Sequence, residues 1–327
     1  MTQMAARPVV TRRLIALLKV MVTCAAISLV LRRYDGSRLI DVVRHAEGFW
    51  LMAAALIALG QLGLLAWRWQ LLHRLLTGTS VPFRALVSSI GRSMLLGQML
   101  PAVVGADAIR IATIANRTGL PSAVRSVVGD RLLGLCSLLA MTAAMLPFCA
   151  LRIGAAAVAP QLVLACAGGA AAIAAGVAWP GVFRRLPLIG RFIAQPVADM
   201  RLTFLSPIGR RAIVISFLAH LFGLVVFAAL VSSLASDVSI GMCLLIMGPI
   251  MLISSIPISL NGWGVREAAI ASAFALIGAD PLIGTAASIL YGLSGPLVGA
   301  AGALYGLIPV TMSTDSDVGL DNAARPR

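Results

Sequence analysis

Apolar runs at 14–31, 48–67, 126–150, 154–179, 212–234 and 282–309 dominate the chain. Each reaches the roughly 18 to 20 residues that a helix needs to cross about 30 Å of hydrocarbon. Within hydrocarbon no water satisfies a free N–H or C=O, so a segment can span only as a helix or as part of a closed barrel. Runs this long and unalternating read as helices. Composition agrees, with 60% hydrophobic and 12% charged residues, where a soluble domain carries about a quarter charged. The mean hydropathy is +0.97. The expected fold class is an all-α polytopic membrane protein with about seven or eight transmembrane helices.

Two further apolar pieces, about 85–100 and 241–257, run straight into proline and glycine, and a short segment at about 263–278 follows the second. Sixteen residues cover only about 24 Å, so these pieces read as interrupted or re-entrant elements. Such backbone survives at membrane depth only where protein or a watery cavity satisfies it. The breaks resemble each other. In LPAVVGADAIR (Leu100–Arg110) and IPISLNGWGVR (Ile256–Arg266), the arginine stands nine residues after the proline. Paired interruptions in two halves point to an internal pseudo-repeat with a site at its interface. The break residues are Pro101 and Gly105 in the first half, and Pro257, Gly262 and Gly264 in the second.

The net charge of +14 suggests nucleic acid only in a soluble protein. Here the basic residues sit in short connections, the pattern that marks the cytoplasmic side, so no nucleic-acid partner is expected. Arg7, Arg12, Arg13 and Lys19 place the N-terminus inside. The arginine-rich connection Phe183–Arg211 is also read as cytoplasmic. Residues 1–13 are expected to be a cytoplasmic N-terminus, 14–310 the transmembrane domain and 311–327 a disordered tail. Arg32 and Arg33 follow the first apolar run without a small-residue cleavage site, so that run reads as a retained anchor. The five cysteines and three histidines lack metal-ligand spacing, and neither a metal nor a cofactor is expected. His220, inside a span, reads as polar glue between helices.

The polar residues at the breaks carry the functional question. An arginine at the centre of a lone helix costs at least ~2.5–3.5 kcal/mol, so Arg110 and Arg266 are expected to face inward. Free N–H groups at a helix start favour an anion, and a guanidinium adds a fork suited to phosphate or carboxylate. Arg110 and Arg266 are read as sharing one seat for a lipid headgroup, with Arg131 and Asn261 as further candidates for the same headgroup. Asp107, Asp130 and Glu267 are the candidate charge partners. Asp107 can pair with Arg110 on one helix face, Glu267 with Arg110 across the halves, and Asp130 or Asp107 with Arg266. Structural pairing without a ligand is the competing reading. WRWQLLHR (Trp67–Arg74) reads as an aromatic and basic belt anchoring its helix, and Trp263 as an interfacial anchor. Gly292, Gly295, Gly299, Gly302 and Gly306 form a stripe for close helix packing. No catalytic motif is found, and no catalytic residue is assigned.

LPAVVGADAIR, GDRLLGL (Gly129–Leu135), IPISLNGWGVREAA and the Gly-rich last span resemble, in order and spacing, the lysylphosphatidylglycerol synthase transmembrane-region family, also called the flippase-like domain family. The resemblance runs from about residue 14 to 310 and departs from the family pattern at Ala102–Val104 and Ala106. It implies a lipid-handling bundle with interrupted helices. In two-part members this domain moves an aminoacylated phospholipid between leaflets, and a soluble domain makes that lipid. The soluble part is expected to be absent, since the 327 residues are spent on the bundle. Bundle-only relatives are associated with polyprenyl-linked sugars, glycolipids or hopanoids.

The resulting expectation is a lipid translocase or lipid-binding transporter for an anionic-headgroup lipid in a bacterial-type inner membrane. Its expected partners are the membrane lipid and a glycosyltransferase or lipid synthase. The alternatives are an accessory subunit that presents a lipid-linked substrate to a glycosyltransferase, and an intramembrane lipid-modifying enzyme.

Overall fold

The computed structural model describes Met21, Ser28 and residues 36–97, 103–154, 160–179, 190–255 and 262–307. Among the described residues there are eleven helices and no strand. In chain order they are α1 (Gly36–Arg44), α2 (Gly48–Thr77), α3 (Phe83–Gly97), α4 (Val103–Thr118), α5 (Leu120–Ile153) and α6 (Pro160–Ala178). They continue with α7 (Gly190–Leu205), α8 (Pro207–Ser233), α9 (Ile240–Ser254), α10 (Val265–Leu276) and α11 (Pro281–Tyr305). Helices α2, α5, α8 and α11 are long and apolar enough to cross a membrane, and α6 and α9 hold shorter apolar stretches. The protein is an all-α, multi-pass membrane protein, as its hydropathy required. The first expected span, the N-terminal residues 1–13 and the tail 311–327 fall outside the described residues, apart from Met21 and Ser28.

Local chemistry sets the helix ends. Ser206 accepts from the Gly209 N–H at the start of α8, and Asp280 accepts from the Leu282 N–H at the start of α11. In both helices a proline takes the first position, where its missing N–H costs nothing. α2 ends at Gly78, whose φ of 72° suits only glycine without strain. One connection differs from expectation, because Phe183–Arg211 is not all loop. It holds α7, which sequence reading missed for want of a long apolar run. α7 buries Asp199 and Thr203 against its neighbours instead.

The pseudo-repeat is visible in the packing. The unit α1-α2-α3-α4-α5 corresponds to α7-α8-α9-α10-α11: an amphipathic helix, a long helix, two short helices flanking a break, and a long helix. Exchanging the units exchanges the neighbours. α3 packs on α11 as α9 packs on α5, α2 on α5 as α8 on α11, and α1 on α11 as α7 on α5. The two long helices α2 and α8 pack on each other at the centre. They run antiparallel: the Glu47 N–H donates to the Ser233 carbonyl (2.8 Å), while Arg68 reaches Ser216 further along. Equivalent helices therefore point in opposite directions, the inverted topology of many transporters.

The short hairpins consequently enter from opposite ends. α3 starts where α2 ends, and α4 returns to that end, where α5 begins. α9 and α10 do the same at the other end, since Tyr305, closing α11, lies against Arg84 at the start of α3. Each half-helix of fifteen residues, α3 or α9, spans only about 22 Å. The breaks themselves, 98–102 and 256–261, lie outside the described residues.

Close packing between the halves depends on glycine. A Cβ on Gly91 of α3 would stand 2.6 Å from the Ala303 nitrogen and 2.7 Å from the Gly299 oxygen of α11. The expected stripe thus meets a glycine on its partner, and backbone touches backbone. Gly63 on α2 has nothing within 4 Å of such a Cβ. Gly91→Leu should therefore lower the melting temperature of the detergent-purified protein by several degrees, while Gly63→Ala should leave it unchanged or higher. Equal effects would remove the α3–α11 approach as a determinant of the fold.

Candidate functional site

Asp130 on α5 is the centre of the first polar network, and only 2% of it is exposed. One carboxylate oxygen accepts from Arg68 Nε of α2 (2.8 Å), and the other from an Arg110 terminal nitrogen of α4 (2.7 Å). A terminal nitrogen of Arg68 also donates to Ser216 Oγ on α8 (2.9 Å), so four helices meet at one ion cluster. The Arg110 guanidinium lies 4.1 Å from the centre of the Trp69 ring, a cation–π stack. Trp69 is fixed in turn by donating to Ser126 Oγ (3.3 Å).

Asp107 and Arg131 extend this network outward. Arg131 Nε donates to both Asp107 oxygens (2.8 and 3.0 Å), and Arg110 approaches the same carboxylate at only 3.8 Å. The Arg131 side chain is 49% exposed and that of Asp107 18%. The cluster holds three guanidiniums, Arg68, Arg110 and Arg131, against two carboxylates, Asp107 and Asp130. Among the described residues one positive charge is left over. Arg110 Nε is buried and has no hydrogen-bond acceptor among the described residues.

The second network forms where α10 begins. Glu267 Oε2 accepts from the Gly264 N–H, capping the helix with the chain's own carboxylate. Its Oε1 accepts from an Arg266 terminal nitrogen (2.8 Å) and from Ser288 Oγ of α11 (2.8 Å), and Arg266 Nε donates to Ser288 Oγ (3.0 Å). The guanidinium packs 5.2 Å from the Trp263 ring centre and 5.7 Å from that of Tyr291. Gly292 makes room for it, since a Cβ there would stand 2.4 Å from an Arg266 nitrogen. Gly262 (φ 80°) and Gly264 (φ 84°) take the left-handed turn before the helix. One cation meets one anion, and this network is neutral.

The structure therefore separates Arg110 from Arg266. No hydrogen bond or ion pair joins the two networks among the described residues. The first touches α8 at Ser216, and the second reaches it at Gly223 and Phe227 through Tyr291. The nearer of these contacts lies about two turns away, roughly 10 Å along the axis. The pairings across halves, Glu267 with Arg110 and Asp130 or Asp107 with Arg266, do not form, because each carboxylate is taken by an arginine of its own half. Asp107 stands beside Arg110 as expected, but its close partner is Arg131. Pro101, Pro257 and Asn261 lie outside the described residues, while Gly105 is half-buried near the start of α4.

Sequence reasoning missed Arg68, Trp69, Ser216, Ser288 and Tyr291. WRWQLLHR is not a simple anchoring belt: Trp67 is exposed, but Arg68 and Trp69 are buried. The available signal was the position of Arg68, nearly two turns inward from Arg74 on an apolar helix. His220 does bridge helices, through the Gly134 carbonyl (2.9 Å). Trp263 is a ring beside Arg266 rather than a bare anchor.

A family model described as lysylphosphatidylglycerol synthase TM region matches residues 16–302. No curated protein and no solved structure matches the chain.

Removing the Asp130 charge leaves Arg68 and Arg110 facing each other in a buried site, and loss of one partner in such a pair costs roughly 3–5 kcal/mol. Asp130→Asn is expected to destabilise the purified protein markedly, read as a lower melting temperature or a lower denaturant midpoint. Unchanged stability would mean that solvent reaches the cluster freely.

Proposed function

Because the chain belongs to the lysylphosphatidylglycerol synthase transmembrane-region family, a membrane family with a lipid-related role, we propose that it is a translocase or lipid-binding transporter for a lipid with an anionic headgroup. The observation that carries this reading is the uncompensated positive charge of the Arg68–Arg110–Arg131 cluster. An excess charge away from bulk water is expensive, and an anionic headgroup neutralises it. The fork of Arg110, held over the Trp69 ring and bonded to Asp130, is oriented before any ligand arrives, so little rotamer entropy is lost on binding.

The inverted halves supply a route. In alternating access, one repeat rocks against the other around a site that opens to each side in turn. The headgroup crosses through the protein while the acyl chains stay in the bilayer. Arg74, Arg84, Arg117, Arg125, Arg201, Arg210 and Arg211 gather at the end where α2 finishes. By the positive-inside rule this end faces the cytoplasm of a bacterial-type inner membrane, with the N-terminus on the same side. In this reading Arg266 is held by Glu267 as an internal pair, and the Arg110 cluster takes the headgroup.

The test is translocation of tail-labelled phosphatidylglycerol in reconstituted vesicles, followed by an impermeant quencher. Wild type should translocate. Arg110→Ala should lose at least about tenfold in rate while still folding, because Asp130 keeps Arg68 as its partner. Arg110→Lys, which keeps the charge and loses the planar fork, should fall in between. An inert wild type would overturn translocation. A fully active, well-folded Arg110→Ala would remove Arg110 from the site.

A further inference from the structure

Two carboxylates serve the Arg110 cluster, and they are not alike. Asp130 is deep, and both of its oxygens are committed at 2.7–2.8 Å to arginines of two other helices. Its role is to hold α2, α4 and α5 together. Asp107 sits at the rim, partly exposed; among the described residues it is bound closely only to the half-exposed Arg131 and stands 3.8 Å from Arg110. Asp107 thus occupies the position where an incoming anion would meet both Arg110 and Arg131.

Resting on the function proposed above, we infer that Asp107 is an internal competitor for the headgroup anion. It neutralises Arg131 while the site is empty and yields that arginine when a phosphate ester or carboxylate arrives. The exchange conserves pairing: Arg131 leaves one oxyanion for another, and Asp107 turns outward to solvent. Such a competitor lowers affinity, which suits a carrier that must release its cargo on the far side. Asp107 is accordingly a specificity-determining and positioning residue, and Arg131 the ligand it guards. The geometry distinguishes this from a purely structural ion pair. A structural pair would be buried and doubly committed, as Asp130 is, whereas among the described residues Asp107 shares its hydrogen bonds with a single, half-exposed partner.

The experiment is a double-mutant cycle on the full chain in nanodiscs of zwitterionic lipid. Phosphatidylglycerol is titrated and its binding read by native mass spectrometry. Soluble glycerol phosphate is a second arm that separates headgroup recognition from capture of the whole lipid. Asp107→Asn, which can still accept from Arg131, should bind phosphatidylglycerol about five- to tenfold tighter than wild type, since an adjacent like charge has been removed. Arg131→Ala should bind more weakly, and Asp107→Asn should gain nothing in the Arg131→Ala background. A structural role moves affinity only downward, so the gain is diagnostic. Binding by wild type with equal or weaker binding by Asp107→Asn would overturn the competitor and leave the headgroup site standing. Absence of phosphatidylglycerol binding by wild type and by Asp107→Asn would overturn both. Asp107→Ser is the second variant, and failure of both substitutions to fold would make Asp107 a structural partner and overturn the inference.

Discussion

The structure turns on one electrostatic constraint: a guanidinium taken into an apolar bundle must find a counter-charge. Arg68, Arg110 and Arg266 are each about 95% buried. Asp130 satisfies two of them and Glu267 the third. The carboxylate positions thereby fix which helices can meet. Asp130 draws α2 and α4 onto α5, and Glu267, through Ser288, draws the start of α10 onto α11.

The two halves share a plan and use it differently. Each presents an arginine nine residues beyond a proline, packed against an aromatic ring. In the second half the arginine and the helix start are both answered by the next residue in sequence, so the seat that an anion would take is filled by Glu267. In the first half the charge does not cancel: Asp107 pairs with Arg131, while Asp130 alone faces both Arg68 and Arg110. An inverted repeat offers two equivalent stations one above the other. Here their chemistry has diverged into a closed pair and an open one.

Much of this architecture was legible in the sequence because hydrocarbon imposes simple rules. Four of the long spans, the short helices on either side of 98–102 and 256–261, and the kinship of Arg110 with Arg266 follow from residue order alone, whereas the expected span 154–179 holds only a shorter apolar stretch. The helix α7 was not legible, because its sixteen residues, broken by arginines, an aspartate and a glutamine, leave no apolar run of spanning length. The partners of the arginines were not legible either. Arg68 lies 62 residues before Asp130, and only the packing of α2 on α5 brings them together. Reading the two arginines as one seat failed for a similar reason: sequence spacing defines equivalence between repeats, but an inverted repeat places equivalent residues at different depths.

The central claim is that the bundle holds one buried positive charge in excess and that a lipid anion answers it. Native mass spectrometry of the protein, gently extracted from its own membrane, tests this most directly through the headgroups that remain bound. The account requires a retained anionic lipid in about one-to-one ratio, depleted when Arg110 is replaced. Retention of only neutral or zwitterionic lipids, or of anionic lipid to the same extent without Arg110, would contradict it.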